Sequence, residues 1–257
     1  MVRKTSKTNN VSIPGIFRHL TMAFGIIFGH LRLFLPLFLV GTMICAVTIN
    51  LTDVASAVFG TIVWLILWLT TICILRHLMA GKKIKFRDAL YNSMTTMVPT
   101  VLVGGAMMLQ LLPAFFLVVL FATATETNLF STTAFGVISL LIAIVVFFAT
   151  IYCLVTTLVA LVAVSAPGLY PVAALKMAHK VVRGHRGDLV VRLLVLELVL
   201  GLIDAVLVLP MVPFYQTTSM AMMIVSEALS CFTTIMLATY VYLYYKWLIG
   251  EPNNDKS

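Results

Sequence analysis

The sequence predicts an all-α transmembrane protein of six membrane-spanning helices with three amphipathic elbow helices. Three observations predict it. The composition is 61% hydrophobic and 10% charged, where a soluble domain runs near half apolar and about a quarter charged. Runs of about twenty or more apolar residues recur six times, each able to cross a hydrocarbon core of roughly 30 Å. The basic residues stand beside the ends of those runs, where juxtamembrane cations meet anionic lipid headgroups. A transmembrane β-barrel would instead show alternating segments of about ten residues.

The elements follow in order. Residues 1–11, MVRKTSKTNN and Val11, read as a disordered tail. Ser12 can N-cap a short helix, with Pro14 tolerated in its first turn. Ile13, Phe17, Leu20, Phe24 and Ile27 recur at helical spacing, with Arg18 and His19 off that stripe, as in a helix lying along a membrane surface. The apolar run that follows is as long as a span and has no small-residue cleavage site, so it reads as a retained span. Span one is about residues 30–50, with Arg32 near its inner end and Pro36 able to bend it. Span two is about 54–78 and ends at Arg76 and His77.

Gly81 then breaks the helix, and Lys82, Lys83, Lys85 and Arg87 form a dense basic patch. Phe86, Leu90, Met94 and Met97 make the stripe of a second amphipathic segment before span three, about 98–121. Span four, about 134–164, is long enough to tilt. A third amphipathic segment follows, with Leu175, Ala178, Val181 and Val182 on one side and Lys176, Lys180 and Arg183 on the other. Span five is about 188–209, and Pro210 and Pro213 bracket the next connection. Span six is about 220–249, and 251–257 form a polar tail. Residues 12–250 thus read as one membrane domain, with no room for a separate soluble one.

Every Lys and Arg falls in the tails, the 2–3 and 4–5 connections, or the adjacent span ends. The positive-inside rule then places both termini in the cytoplasm of a plasma (inner) membrane protein. The net charge of +8 is compatible with nucleic-acid binding in a soluble protein. Its confinement to span ends points to membrane lipid as partner and to no nucleic acid.

The order elbow, span, outer turn, span occurs three times, over roughly 12–80, 84–164 and 170–249. Ala89-Leu90 aligns with Ala174-Leu175. Thr70-Thr71, Thr156-Thr157 and Thr233-Thr234 each fall inside an even-numbered span, although Thr-Thr also occurs at 95–96, 132–133 and 217–218. Such a threefold repeat predicts parallel units related by an axis along the membrane normal.

At the third unit the run SAPGLYPVAALKMAHKVVRGHR resembles a pattern in bacterial six-helix membrane families. These are the membrane domain associated with glycerophosphoryl diester phosphodiesterases and related integral membrane proteins. They tend to carry a Pro-Gly break, Ala-Leu, a basic amphipathic helix and a new span. The resemblance covers the layout of most of the chain and implies a six-helix domain with cytoplasmic elbows. It implies no hydrolysis here, because that chemistry belongs to a soluble barrel with metal-binding acids and histidines that the chain lacks.

The candidate intramembrane polar site is Glu197, Asp204, Glu227 and Gln110. An Asp near mid-bilayer costs roughly 2.5–3.5 kcal/mol on insertion scales. Glu197 and Asp204 are seven apart and share a helix face. Asp204 and Glu227 stand at matching depth on antiparallel spans, where two carboxyls can meet and share a proton, as a proton-coupled carrier requires. The competing reading is a pair of hydrogen-bonded acids pinning helices together. Gln110, mid-span, suits either an interhelical hydrogen bond or a polar cavity. Gly104-Gly105 and Gly201 read as points of close helix packing. Candidate headgroup contacts are Lys82, Lys83, Lys85, Arg87, Lys176, Lys180, Arg183 and Arg186, each worth about 1 kcal/mol near an anionic surface. The alternative for them is topology and anchoring alone.

His19, His30, His77, His179 and His185 match no metal motif and read as surface residues at the span boundaries. Cys45, Cys73, Cys153 and Cys231 fall inside spans without a C-x-x-C pair and read as packing residues. No catalytic motif, metal site or cofactor is expected. The functional expectation is a non-enzymatic membrane protein that moves or organises a lipid-related or small-molecule substrate. The alternatives are a membrane scaffold, or the membrane part of a phosphodiesterase system with its catalytic domain on another chain.

Overall fold

The computed structural model describes residues 15–48, 53–126, 133–166, 168–210 and 215–250. Both expected tails lie outside these residues, as do Ser12, Pro14, Pro213 and the centres of the outer connections at 50–52 and 127–132. Among the described residues all regular structure is helical: α1 (Ile16–Gly29), α2 (Leu31–Thr48), α3 (Asp53–Met79), α4 (Phe86–Met94), α5 (Met97–Glu126), α6 (Thr133–Val164), α7 (Pro171–Val182), α8 (Arg186–Val208) and α9 (Tyr215–Leu248).

Among the described residues four helices contain stretches long and apolar enough to cross a membrane: Val58–Met79, Met97–Leu120, Leu141–Val164 and Met222–Leu248. α1 and α2 meet the same requirement only as a pair, bent by 88° at their junction, and make a fifth if counted as one broken span. α8 stands where the fifth span was expected, but Arg192, Glu197 and Asp204 along its length keep it out of that group. The described residues are therefore all-helical in their regular structure and compatible with several membrane crossings. Pro36 sits inside α2, which continues past it.

α3, α6 and α9 form the middle of the bundle. Their C-terminal halves are enclosed on nearly every side: Trp68, Ile72 and Leu75 in α3, Val155 to Val164 in α6, and Ile235 to Tyr244 in α9. That agrees with sequence in these stretches that is apolar around the whole helix. Each is paired with the helix before it: α2 packs on α3, α5 on α6 and α8 on α9. The short helices continue the order, with α4 on α3, α7 on α6, and α1, from the other end of the chain, on α9. A third set of contacts joins α3 to α5, α6 to α8 and α9 to α2.

Local chemistry sets the turns at the end where α3, α6 and α9 finish. After α3 the chain reverses through Gly81 at φ +67, a region glycine enters without a Cβ penalty. There Gly81 N–H donates to Leu78 O at 3.0 Å and Lys82 N–H to His77 O at 2.9 Å, satisfying carbonyls that the helix end leaves open. α7 opens on Pro171 at its first position, where a missing N–H costs nothing. His179 and Lys180 occupy its last turn, where positive charge favours the helix dipole. Gly184 at φ +90 then turns the chain into α8.

The three short helices bury faces that only partly match the expected stripes: Leu20 and Ile27 on α1 and Ala178 and Val182 on α7 are buried as expected. α1 buries His19, Leu20, Ala23 and Ile27, while Phe17, expected on the buried stripe, is 70% exposed. α4 buries Ala89 and Ser93, and Met94 is exposed. α7 buries Ala174, Ala178 and Val182. Each set repeats at a spacing of four, one helical face. The physical reason is size: small residues let helices approach closely. Phe17 on α1 and Met94 on α4 stand beside the contact, while Leu20, Ile27 and Val182 are within it. His19, expected at the surface, is the clearest correction, being only 4% exposed.

α2 meets α3 and α9 at Gly41. A Cβ there would lie 3.0 Å from Leu67 Cδ2 and 3.3 Å from Cys231 Sγ, whereas one at Gly105 would meet nothing within 4 Å. Leu67 and Cys231 are both buried, so neither has room to yield. Gly41→Val is expected to destabilise the protein by about 1–3 kcal/mol, read as a lowered midpoint of thermal unfolding in detergent. Gly105→Val should lower it distinctly less.

Candidate functional site

The structure gives the expected intramembrane acids different surroundings. Glu197 lies on the exposed side of α8, and its electrostatic neighbour is Asp204, two turns along the same helix. Glu227, on α9, stands beside the thiols of Cys45 on α2 and Cys231 on its own helix. No described contact joins Asp204 to Glu227. Gln110 accepts a 2.6 Å hydrogen bond from Thr157 Oγ1 and so ties α5 to α6.

The densest polar cluster involves none of these residues. It lies where α1, α8 and α9 meet. Arg192 enters α8 about one turn after Asp188, and its Nε donates to Asp188 Oδ2 at 2.7 Å. Its Nη1 donates to His19 Nδ1 on α1 at 3.2 Å. A guanidinium only donates, so that ring nitrogen accepts and the imidazole is neutral. Tyr244 OH on α9 donates to the same Asp188 Oδ2 at 2.9 Å, and its ring lies 5.5 Å below the Arg192 guanidinium carbon. The ring of Tyr240 closes on His19 at 6.1 Å. Arg192 is 3% exposed. A charge held so far from water persists only when its donors find partners, and the carboxylate, imidazole and aromatic face supply them.

A second arginine works at the end of α3. Arg76 donates to the Ser165 carbonyl at 2.8 Å and to Ser165 Oγ at 3.0 Å, joining the ends of α3 and α6. Beside it Thr70 Oγ1 and Ser93 Oγ lie 3.1 Å apart and link α3 to α4.

The expected headgroup contacts divide into two kinds. Lys176, Lys180 and Arg183 are exposed on or just after α7. Arg186 is engaged by the protein: it stacks 4.5 Å over the Tyr152 ring and donates to His179 Nδ1 at 2.6 Å. Lys85 and Arg87 are exposed at the start of α4. Lys82 and Lys83 line a crevice of about 680 Å³ whose other wall is the bend between α1 and α2, with His30 and Arg32.

Sequence reading missed the cluster around Arg192, although part of the signal was present. Asp188 and Arg192 have the acid-before-base spacing of four that pairs across a helical turn. His19 precedes Ala23 and Ile27 by four and eight. Only the fold could show that these two patterns meet.

Asp188→Ala would leave the buried Arg192 charge without its carboxylate. It is expected to cost about 3–5 kcal/mol, read by thermal unfolding in detergent. The double variant Asp188→Ala/Arg192→Met should recover a good part of that loss. Equal losses in the single and double variants would show that the ion pair does not hold this junction. Tyr244→Phe should cost about 1 kcal/mol.

Searches against protein-family models, curated proteins and solved structures give no match for this chain.

Proposed function

We propose that the chain is a six-span inner-membrane protein, both termini cytoplasmic, that organises or moves lipid at the cytoplasmic leaflet. The observation that carries this reading is the division of labour on α1, α4 and α7. α4 turns Ala89 and Ser93 to the bundle, α7 turns Ala174, Ala178 and Val182, and α1 turns His19, Leu20, Ala23 and Ile27. Each also leaves large apolar side chains open on another side: Phe17 and Phe28 on α1, Tyr91 and Met94 on α4, Val172 on α7. Exposed cations accompany them, among them Lys85, Arg87, Lys176 and Lys180. A helix with one face for protein, one for acyl chains and one for headgroups suits the plane of a membrane surface. The 88° bend between α1 and α2 fits an in-plane helix leading into a crossing one.

The contact order supports a threefold repeat. Advancing each helix by three positions turns the pairs α3–α4, α6–α7 and α9–α1 into one another, and likewise α3–α5, α6–α8 and α9–α2. On this reading α2 and α8 are crossing helices as well. The polar residues of α8 are tolerated because Arg192 and Asp188 are paired near its end and Asp204 and Glu197 share one face. The separate surroundings of Asp204 and Glu227 favour lipid handling at the surface over a shared-proton carrier. The resemblance to phosphodiesterase-associated membrane domains enters as likeness of layout, without hydrolysis.

Two measurements test the reading. In a cysteine-free background, Lys83→Cys and Lys180→Cys should react with an impermeant thiol reagent only in inside-out vesicles. Thr127→Cys and Thr217→Cys should react only in right-side-out cells. Labelling of all four from one side would end the topology. In proteoliposomes, fluorescent phosphatidylglycerol should either self-quench through clustering or become accessible across the bilayer. If it does neither, lipid handling is wrong even where the topology holds.

A further inference from the structure

We propose that the crevice between the α1–α2 bend and the α3–α4 connection binds the phosphate headgroup of an anionic phospholipid. This deepens the lipid reading above and rests on it for the identity of the surrounding medium. The crevice measures about 680 Å³ and brings together two stretches some fifty residues apart in the chain, 28–33 and 78–84. Each wall supplies cations: Arg32, beside His30, from one, and Lys82 and Lys83 from the other. Among the described residues no carboxylate forms an ion pair with Arg32, Lys82 or Lys83; the ion pair found there is Arg192–Asp188, in another part of the bundle. Three cations converging on one space without a counter-charge repel one another unless an anion joins them.

The backbone adds to the same field. α2 begins at Leu31, inside the crevice. Its first inward hydrogen bonds are Leu33 N–H and Phe34 N–H to His30 O. The amides of Leu31 and Arg32 precede these, at the positive end of the helix, where an anion is favoured. Across the crevice the Gly81 turn sets Lys82 and Lys83 just outside the end of α3.

The apolar part of the wall argues for a lipid over a free phosphate ester. Phe28 and Leu31 are 56% and 46% exposed, and Leu78 and Ile84 line the crevice beside them. A soluble phosphate ester would leave this surface uncovered. An acyl chain below a phosphate would cover it. Arg32 suits the phosphate because its planar fork gives two parallel donors to neighbouring oxygens.

The test is native mass spectrometry of the full chain, purified in a neutral detergent and titrated with phosphatidylglycerol, phosphatidylcholine or water-soluble glycerol phosphate. Phosphatidylglycerol should bind with one preferred site, and phosphatidylcholine distinctly more weakly. Lys82→Gln/Lys83→Gln should weaken phosphatidylglycerol binding about thirtyfold, from roughly 1 kcal/mol per cation. Arg32→Gln should weaken it severalfold. Arg18→Gln, which removes an exposed arginine of α1 that does not line the crevice, should leave it unchanged. All variants should keep the parent unfolding temperature, since the side chains replaced lie on open surface.

Three results would overturn the proposal. Equal weakening by Arg18→Gln would mean general surface charge. Equal affinity for phosphatidylcholine would mean no anion selectivity. Glycerol phosphate binding as tightly as the lipid would make the ligand a free phosphate ester. Because binding in detergent does not depend on sidedness, these failures are separate from a failure of the proposed topology.

Discussion

One buried guanidinium organises much of this fold. Arg192 lies on α8, its carboxylate partner one turn away, its imidazole acceptor on α1 and its aromatic cover on α9. Removing a charge from water is expensive, and the cost is met only when all partners are in place at once. The cluster therefore acts as a condition on assembly: three helices must arrive in one register or the charge is stranded. Apolar contacts between smooth helices do not impose such a condition, because Leu against Leu can slide by a turn at little cost. The apolar packing around the C-terminal halves of α3, α6 and α9 supplies bulk cohesion, and the polar cluster supplies register.

Small residues do for the short helices what the arginine does for α8. Ala89 and Ser93, Ala174 and Ala178, and Ala23 all sit at the contact, while Phe17, Phe28, Tyr91, Met94 and Val172 stand outside it. A helix that docks through alanine keeps its phenylalanines and methionines for another medium. α4 is likewise fixed by its small face and by the Thr70–Ser93 contact, which leaves Lys85 and Arg87 at its start exposed.

Much of the helical layout was legible in the sequence, because length, hydropathy and glycine breaks are local properties. Gly81 ends α3 and Gly184 ends the α7 turn, as their lack of a Cβ allows. The number of crossings was less legible. α8 is in place but carries charges that blur its apolar character, and α2 is continuous in composition with α1 although the chain bends by 88° between them. The faces of the short helices were read in part: Leu20, Ile27, Ala178 and Val182 are buried as expected, but periodicity weighs large apolar residues most and so passed over Ala23, Ala89, Ser93 and Ala174. His19 was assigned to the surface because it falls off the apolar stripe and near a span boundary. Its burial depends on a partner far along the chain, information that no window of local sequence contains.

That distance has a consequence for biosynthesis. His19 and its Arg192 partner are separated by 173 positions, and the rest of the α1 site is on α9, near the other end of the described chain. At elongation rates of about 5–20 residues per second, α1 waits roughly 10–35 seconds after its own synthesis before α8 exists. The ring of helices is thus closed late, by its first-made segment. Until then the face of α1 that carries His19 and Ala23 lacks its partners on α8 and α9, and a chaperone or insertion factor acting on this protein would find an unfinished surface there.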